Sequence, residues 1–368
     1  MKGYKMAATP RKAEKPWSPL STMGDECSAV LASSRFFQRL WQMLIVVLIG
    51  AFPGSATGDS ADTLRHSAGQ ALSALPPAPE LDHGKVALGE RLFHDPILSR
   101  RGTLSCSSCH DLASGGTIPV KRTTGYDGRM HAFNAPTIFN VGNNYRLGWR
   151  GRFTALPVQN EAVLLDRNLM SNDWQTLLPR LLQDDGYRAS FKSVYGQVPG
   201  RDNVLDALVT YQRSLVTPNA AFDRFLQGDA SALSPQQMQG YKLFRSFGCV
   251  SCHQGSNIGG NMFQIFGVFA DPQEGASAAK APQWAPLRID QEGDTFRVPS
   301  LRNVEVTAPY FHDGRAATLE EAVAIMGVSQ LGRQLTHSDI GAIVAFLKSL
   351  TGDYNGERLQ SPSSKDRR

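Results

Sequence analysis

Apolar side chains recur at helical spacing along much of the chain. Between Asn172 and Gln183 the large apolar residues fall on one helical face; they are Trp174, Leu177, Leu178, Leu181 and Leu182. The segment from Val204 to Leu215 repeats this spacing, and Pro218 prevents its continuation. The pattern therefore predicts two amphipathic helices here.

Capping residues predict three further helices. Ser234-Pro235 is typical of a helix start, with Ser234 as N-cap and Pro235 in the first turn. Thr318-Leu319-Glu320-Glu321 reads as a capping box that opens a helix through Met326. The last predicted helix runs from about His337 to Leu350, whereas residues 257–296 are rich in Gly, Pro and Ala and predict a loop. Strand patterns are scarce, so the predicted fold class is all-α with long ordered loops.

The chain also repeats itself. Gly89-Glu90-Arg91-Leu92-Phe93 is echoed by Gly240-Tyr241-Lys242-Leu243-Phe244, and each lies on an amphipathic stretch. Further on, Gly151-Arg152 with Leu156 is echoed by Gly314-Arg315 with Leu319. Two similar domains, 59–230 and 231–355, are the simplest explanation of this repeat, and the motif described next makes them cytochrome c-like.

Each repeat contains the pentapeptide Cys-x-x-Cys-His. The two copies are Cys106, Cys109 and His110, and Cys249, Cys252 and His253. In this motif two thiols attach a c-type haem through its vinyl groups, and the imidazole becomes an axial iron ligand. A four-Cys zinc site or a disulfide pair requires no His after each second Cys, and Cys27 lies apart. The sequence therefore predicts two covalently bound haems, one in each domain.

The first 58 residues have the order of a secretory leader. Arg35 and Arg39 precede an apolar run, residues 41–52, and small residues follow at 54–58. The run is short for a membrane span, so a cleaved signal is favoured over a retained anchor. The long stretch before it suggests a true start downstream, for example at Met23. Export to the periplasm fits haem attachment, which bacteria carry out outside the cytoplasm.

Charge adds little to the functional picture. The formal net charge of +5 is spread thinly, with no basic face interleaved with aromatic residues, which argues against nucleic-acid binding. Part of it lies in Lys365-Asp366-Arg367-Arg368, within a segment, 356–368, that we expect to be a disordered tail.

The sixth iron ligand decides what each haem can do. A thioether raises the reduction potential and closes the site, whereas an empty position admits a small oxidant. Met326 is the best candidate for the second haem because it shares a helical face with Leu319, Ala322 and Val323. Tyr310, His312 and His337 are the rival ligands.

Three C-terminal segments carry a resemblance to a known family. They are Val298-Pro-Ser-Leu-Arg-Asn-Val304, Thr307-Ala-Pro-Tyr-Phe-His-Asp-Gly314, and Met326-Gly327 followed by Gln330-Leu331-Gly332. They resemble the bacterial dihaem cytochrome c peroxidases, the family that includes MauG, and the similarity covers about residues 84–350. The resemblance implies that Met326 is the sixth ligand of the high-potential haem.

The resemblance also implies roles for other residues. Trp149 matches a tryptophan that carries electrons between the haems, and Gln159 matches a glutamine beside the peroxide site. Asn134 and the backbone carbonyls of Thr307 and Pro309 match the ligands of a calcium ion between the haems. Oxygen donors of this kind suit a hard cation.

Two departures from the family fall at the first haem. Tyr126 stands where family members have a displaceable His, so this iron is either open at rest or bound by Tyr126 or His131. Leu169 stands where the family has a distal Glu that moves a proton during O–O cleavage. Glu161, Asp166 and His131 are candidate replacements, although Glu161 and Asp166 can equally be surface or propionate-side charges.

The resemblance implies a periplasmic enzyme that reduces hydrogen peroxide. Its electron donor is expected to be a small soluble cytochrome c or a copper protein (cupredoxin), and a homodimer is left open. Two alternatives remain: a MauG-like oxidase that modifies a partner protein, and a dihaem electron carrier without enzymatic activity.

Overall fold

The computed structural model describes residues 71–269 and 295–360, and these residues are predominantly helical. The α-helices within them are α1 (His83–His94), α2 (Leu156–Leu165), α3 (Trp174–Gln183), α4 (Asp185–Tyr195), α5 (Arg201–Ser214), α6 (Ala221–Leu226), α7 (Pro235–Ser246), α8 (Leu319–Leu331) and α9 (His337–Lys348). None of the helices in these two ranges is long and apolar enough to cross a membrane. The predicted leader lies outside the described residues.

The helix starts follow the capping residues. Ser234 accepts a hydrogen bond from the backbone N–H of Gln237 and begins α7, and Thr318 does the same for Glu321 and begins α8, as predicted. Asp173 caps α3, which starts two residues after the predicted Asn172. Helix α5 begins at Arg201, before the predicted Val204, because the Asn203 side chain accepts from the Gly200 N–H at 2.8 Å.

The region predicted as a loop at 257–296 contains a strand. Strand β1 (Phe263–Ile265) pairs antiparallel with β2 (Thr295–Arg297), with Phe263 opposite Arg297. Such a pair has little sequence signal, because each strand has three residues and the pairing is between distant segments. Residues 270–294, which connect them, lie outside the described residues.

Part of the segment predicted as a disordered tail, 356–368, is ordered. Strand β3 (Asp353–Tyr354) pairs with β4 (Glu357–Arg358) in a tight hairpin. The Arg358 guanidinium donates to Glu305 Oε2 at 2.9 Å and to the Lys348 carbonyl at 3.0 Å, which holds residues 357–358 on the protein. Residues 361–368 lie outside the described part of the chain.

Each half of the sequence repeat forms one closely packed helix pair. In the first, α1 crosses α5 at Gly89, where an added Cβ would lie 2.0 Å from the Ala207 carbonyl oxygen. In the second, α7 crosses α9 at Gly240, where an added Cβ would lie 1.9 Å from the Ala342 carbonyl oxygen. The repeated glycine is thus required because the two backbones touch.

A separate hydrophobic core surrounds each pair. One core is built from residues of 88–215 and the other from residues of 222–350 together with Leu72. Along the chain the first core ends at Leu215 and, apart from Leu72, the second begins at Phe222, before residue 230, the predicted domain boundary. The described ends of the chain cross that boundary: Leu72 packs in the second core, and the Tyr354 ring lies 5.0 Å from the Phe139 ring of the first.

The two halves meet at Thr217. The side-chain amides of Asn140 and Asn303 each donate a hydrogen bond to Thr217 Oγ1, at 2.7 and 2.9 Å. Both asparagines have a left-handed backbone, with φ values of 57° and 60°. Each asparagine precedes a short 3₁₀ turn, Val141–Asn143 or Val304–Val306. The repeat therefore includes not only the helices but also the loops that run beside the Cys-x-x-Cys-His motifs.

Candidate functional site

Both Cys-x-x-Cys-His motifs fold into the same tight turn. Short 3₁₀ helices, Cys106–Ser108 and Cys249–Ser251, carry the first cysteine of each motif. The backbone N–H of His110 donates to the Cys106 carbonyl at 3.0 Å, and that of His253 donates to the Cys249 carbonyl at 3.0 Å. Each turn thus places two thiols and one imidazole together, the set of groups that covalent haem attachment needs.

The turns fit a porphyrin better than the alternative uses of cysteine. All four cysteines are free thiols, and the described residues contain no group of three or more His, Cys, Asp or Glu side chains that could hold a metal ion. Burial raises the pKa of Cys106 to about 12 and that of Cys249 to about 11. Apolar surroundings that keep the thiols neutral suit a haem face, and they oppose the thiolates of a zinc site.

The two histidines are oriented in the same way. Nδ1 of His110 lies 3.3 Å from the Gly116 carbonyl oxygen, and Nδ1 of His253 lies 3.3 Å from the Ile258 carbonyl oxygen. A proton on Nδ1 satisfies this contact and leaves Nε2 as the ligating atom. Burial lowers the pKa of His110 and lowers that of His253 to about 4, so both imidazoles are neutral at physiological pH.

A cavity of about 330 Å³ adjoins the second motif. Its walls include Cys249, Cys252 and His253, and Met326 of α8 lies on the same cavity. Leu319, Ala322 and Val323 line it too, as their predicted common face with Met326 requires. Tyr310 and His312 also reach the cavity, whereas His337 is an exposed first residue of α9.

Trp149 reaches this cavity from the first half of the chain. Its indole Nε1–H donates to the Asn134 carbonyl at 2.7 Å, and its ring centroid lies 6.2 Å from that of His312. The cavity wall also includes Pro136, whose carbonyl accepts a hydrogen bond from His110. Trp149 is therefore positioned between the surroundings of the two histidines.

The predicted calcium ligands, Asn134, Thr307 and Pro309, all lie on the wall of this cavity. The amide nitrogen of Asn134 donates to the Val120 and Lys121 carbonyls at 3.0 and 3.2 Å. Its Oδ1 is consequently the atom left to face a cation.

The loop that carries Tyr126 is tied down beside the first motif. Thr123 Oγ1 lies 2.7 Å from His131 Nδ1, and His131 Nε2 lies 2.9 Å from the Asn168 carbonyl oxygen. Both ring nitrogens of His131 are engaged, which weighs against this residue as an iron ligand or a proton carrier. The Tyr126 hydroxyl, by contrast, is buried with no hydrogen-bond partner among the described residues.

Glu161 and Asp166 occupy positions that do not suit proton transfer. Glu161 Oε1 accepts from Trp174 Nε1 at 2.8 Å and from Arg201 Nε at 2.6 Å. The hydrogen bond from Arg201 lowers the pKa of Glu161, which makes the carboxylate a poor proton acceptor. Asp166 is exposed and accepts from the Asn168 N–H at 2.7 Å in the turn after α2. The sequence allowed a structural role for both, and the contacts favour it.

Gln159 lies on the opposite side of α2 from Glu161. Two helical residues apart are separated by about 200° around the axis, so the two side chains cannot face one pocket. The second half of the repeat indicates which way the Gln159 side chain points. Helices α2 and α8 both begin five residues after the repeated glycine, at Leu156 and Leu319, and pack on α5 and α9.

This alignment matches Gln159 with Ala322, which lines the second cavity, and Glu161 with Ala324, which is not part of its lining. The correspondence directs Gln159, and not Glu161, towards the first haem position.

One residue near the cavity was missed from the sequence. Arg297, the last residue of β2, is 4% exposed and lines the cavity. The only signal in the sequence was that Arg297 directly precedes Val298, the first residue of a segment that carries the family resemblance. A single charged residue there was indistinguishable from a surface charge until its burial was known.

Comparisons with known proteins agree with this geometry. A family model described as di-haem cytochrome c peroxidase matches residues 83–231. Cytochrome c551 peroxidase of Nitrosomonas europaea is 39% identical over 282 residues, which are 76% of this chain and 84% of that protein. The methylamine utilization protein MauG of Methylorubrum extorquens is 30% identical over 76% of this chain and 82% of its own length.

Among solved structures, a MauG-like protein associated with microbial copper homeostasis superposes with a TM-score of 0.64. It is 26% identical to this chain, and the match covers 77% of this chain and 93% of that one.

Proposed function

The chain belongs to the di-haem cytochrome c peroxidase family, and from this membership we propose that it reduces hydrogen peroxide to water in the periplasm. The protein is an oxidoreductase, and its family implies haem c cofactors. The net reaction is H2O2 + 2e⁻ + 2H⁺ → 2H2O. The electrons come from a small soluble cytochrome c or a cupredoxin.

We assign different tasks to the two sites. Bound haem iron supplies the redox chemistry, taking up electrons at the second site and reducing peroxide at the first. Cys106, Cys109 and His110 hold the first haem, and Cys249, Cys252 and His253 hold the second. Met326 is the second iron's sixth ligand, and its place in the His253 cavity is the observation that carries the proposal.

The first site is the place of peroxide reduction. Gln159 hydrogen-bonds and orients bound peroxide, as its alignment with the cavity-lining Ala322 supports. The hydrogen bonds that engage both His131 nitrogens support a first iron that would be open at rest, with Tyr126 as the remaining alternative ligand. Because Glu161 is ion-paired, the proton donor is water or an unassigned group.

Trp149 carries electrons between the sites. Its ring lines the second cavity, and its hydrogen bond to Asn134 fixes it next to the loop that faces His110. A calcium ion bound by Asn134 Oδ1 and the Thr307 and Pro309 carbonyls stabilises this junction. We place the two haems in cytochrome c-like domains, 59–230 and 231–355. The two separate cores support a division into two units, although Leu72 and Phe222 pack in the second core.

A MauG-like oxidation of a partner protein is the second candidate function. Tyr126 in place of a displaceable His favours it, since an iron open at rest needs no prior reduction. Met326, a thioether where MauG has a tyrosine ligand, favours the peroxidase.

Spectra of the resting oxidised holoprotein test the proposal. We expect one high-spin iron and one low-spin iron in EPR, and steady-state consumption of peroxide with reduced cytochrome c as donor. Peroxide reaction without cytochrome turnover would favour the partner oxidase. Two low-spin irons and no reaction with peroxide would leave only an electron carrier.

A further inference from the structure

Arg297 is a buried cation with no counter-ion among the residues that the structure describes. Its side chain is 4% exposed at the end of β2, and its Nε donates to the Gly148 carbonyl at 3.1 Å. One terminal guanidinium nitrogen, Nη1, is fully buried and has no hydrogen-bond partner within 71–269 and 295–360. None of the ion pairs among the described residues involves Arg297.

Such an arrangement is unfavourable unless an anion completes it. An unpaired buried charge costs several kcal/mol, and burial alone lowers the pKa of Arg297 to about 10. The contrast with Arg302 is direct. Arg302 is equally buried, but it contacts Asp223 at 2.7 Å and also donates to two backbone carbonyls.

The missing anion is expected on the cavity side. Arg297 lines the same cavity as Cys252, His253 and Met326. A c-type haem attached there brings two propionate carboxylates into an otherwise apolar space. Arginine pairs with carboxylates through two parallel hydrogen bonds, for which its terminal nitrogens are suited.

We propose that Arg297 binds a propionate of the haem held by His253 and Met326, and so joins that haem to the Trp149 segment. This rests on the proposed binding of two haems but not on peroxide being the substrate. The backbone N–H of Arg297 also donates to the Trp149 carbonyl at 2.8 Å. Arg297 therefore donates hydrogen bonds to the carbonyls of both Gly148 and Trp149. With a haem propionate as its third partner, it acts as a positioning residue between the Trp149 segment and the haem.

The proposal makes a specific electrostatic prediction. An ionised propionate near the iron stabilises the oxidised, more positive state, and a paired guanidinium offsets that stabilisation. Loss of Arg297 therefore favours the oxidised state and lowers the potential of the second haem. We expect the reduced-to-oxidised ratio at a fixed potential to fall about tenfold, which equals about 59 mV for a one-electron couple. The first haem's potential stays unchanged.

The experiment compares three variants of the holoprotein by spectroelectrochemical titration at pH 8, with haem content measured separately. Arg297→Met should lower the second haem's potential, and Arg297→Lys, which keeps the charge, should recover most of the shift. Arg152→Met removes an exposed positive charge three residues after Trp149 and should change neither potential.

An unchanged potential in Arg297→Met protein that holds two haems would overturn the proposal. If that variant does not accumulate, the test rests on Arg297→Lys. A potential within error of wild type, together with full haem content, supports the proposal. Lost haem or a fully shifted potential overturns it. The proposed peroxidase function fails independently of this proposal. Its failure would appear as an absence of peroxide turnover in the wild-type protein, whatever the Arg297 variants show.

Discussion

The two halves of the chain share one construction up to the point where the haem iron meets its sixth ligand. Each has a glycine at a helix crossing, Gly89 or Gly240, and a histidine whose Nδ1 faces a backbone carbonyl. In each, the carbonyl of a proline, Pro136 or Pro299, also faces that histidine. The shared parts are those that any attached haem requires.

The halves differ on the helix that follows. Aligning α2 with α8 from their first residues places Val163 opposite Met326. Val163 packs against the first core, and an aliphatic side chain has no atom that can bind iron. If Met326 ligates its iron as proposed, one repeated framework gives a closed site and an open site through the side chain at a single helical position.

The shared framework is expected to be the most sensitive to change. Gly240→Ala should destabilise the protein by about 3 kcal/mol, because its Cβ would lie 1.9 Å from the Ala342 backbone oxygen and force α7 and α9 apart. Gly89→Ala should have a similar effect at α1 and α5. Chemical denaturation of the holoproteins measures both.

Gly341→Ala is the matched control for this experiment. Gly341 lies in α9 with nothing within 4 Å of an added Cβ, so alanine there should be neutral or stabilising through helix propensity. Equal stability of Gly240→Ala and Gly341→Ala would mean that the close helix crossing is not required.

The difference between the halves can be exchanged at its key position. Val163→Met should supply a thioether to the first iron, convert its EPR signal to low spin and reduce peroxide turnover by about 100-fold, since the site would be closed. Met326→Ala should do the reverse at the second iron, with a new high-spin signal and a lower potential.

Val163→Leu keeps the size of the methionine side chain without its sulfur. If Val163→Leu and Val163→Met reduce turnover equally, steric blocking and not ligation explains the loss. An unchanged spectrum in Met326→Ala would remove Met326 from the proposed ligand set.

Much of this framework could be predicted from the sequence. Each Cys-x-x-Cys-His motif has a fixed internal spacing, and Ser234 and Thr318 mark the starts of α7 and α8 by local hydrogen bonding, so local rules suffice for these parts. The pairing of β1 with β2 and the return of Tyr354 to Phe139 depend on contacts between distant segments, which no local pattern encodes.

The candidate site divides in the same way. Met326 was predictable because its helical face and the family motif agree. The ion pair of Glu161 with Arg201 was not, because the two residues are 40 positions apart and belong to different helices. The unpaired state of Arg297 was likewise invisible, since a sequence shows a charge but not its partners.

Electron passage between the halves should depend on Trp149. Trp149→Phe keeps an aromatic ring but loses the hydrogen bond to the Asn134 carbonyl, and phenylalanine is harder to oxidise. We expect about tenfold slower electron delivery to the first haem, measured by stopped-flow absorption, with no change in the first reaction of reduced enzyme with peroxide. Trp174→Phe, which loses a hydrogen bond to Glu161 instead, is the control. Equal slowing by both variants would argue against a relay at Trp149.

The smallest expected effect concerns Glu161 of α2, a feature of the first half. Its carboxylate pairs with Arg201 of α5 and accepts a hydrogen bond from Trp174 of α3. Its folded-state pKa is lowered, so the stability it contributes is present above its unfolded pKa and is lost as the pH falls through the folded pKa. Glu161→Gln should therefore lower the Tm by no more than about 3 °C at pH 7, because Arg201 is half exposed. The difference from wild type should shrink at pH values below about 4.

Peroxide turnover of Glu161→Gln at pH 7 should be unchanged, since the ion-paired carboxylate takes no part in proton transfer. A large loss of turnover with an unchanged Tm would instead restore Glu161 as the acid–base group of the first haem.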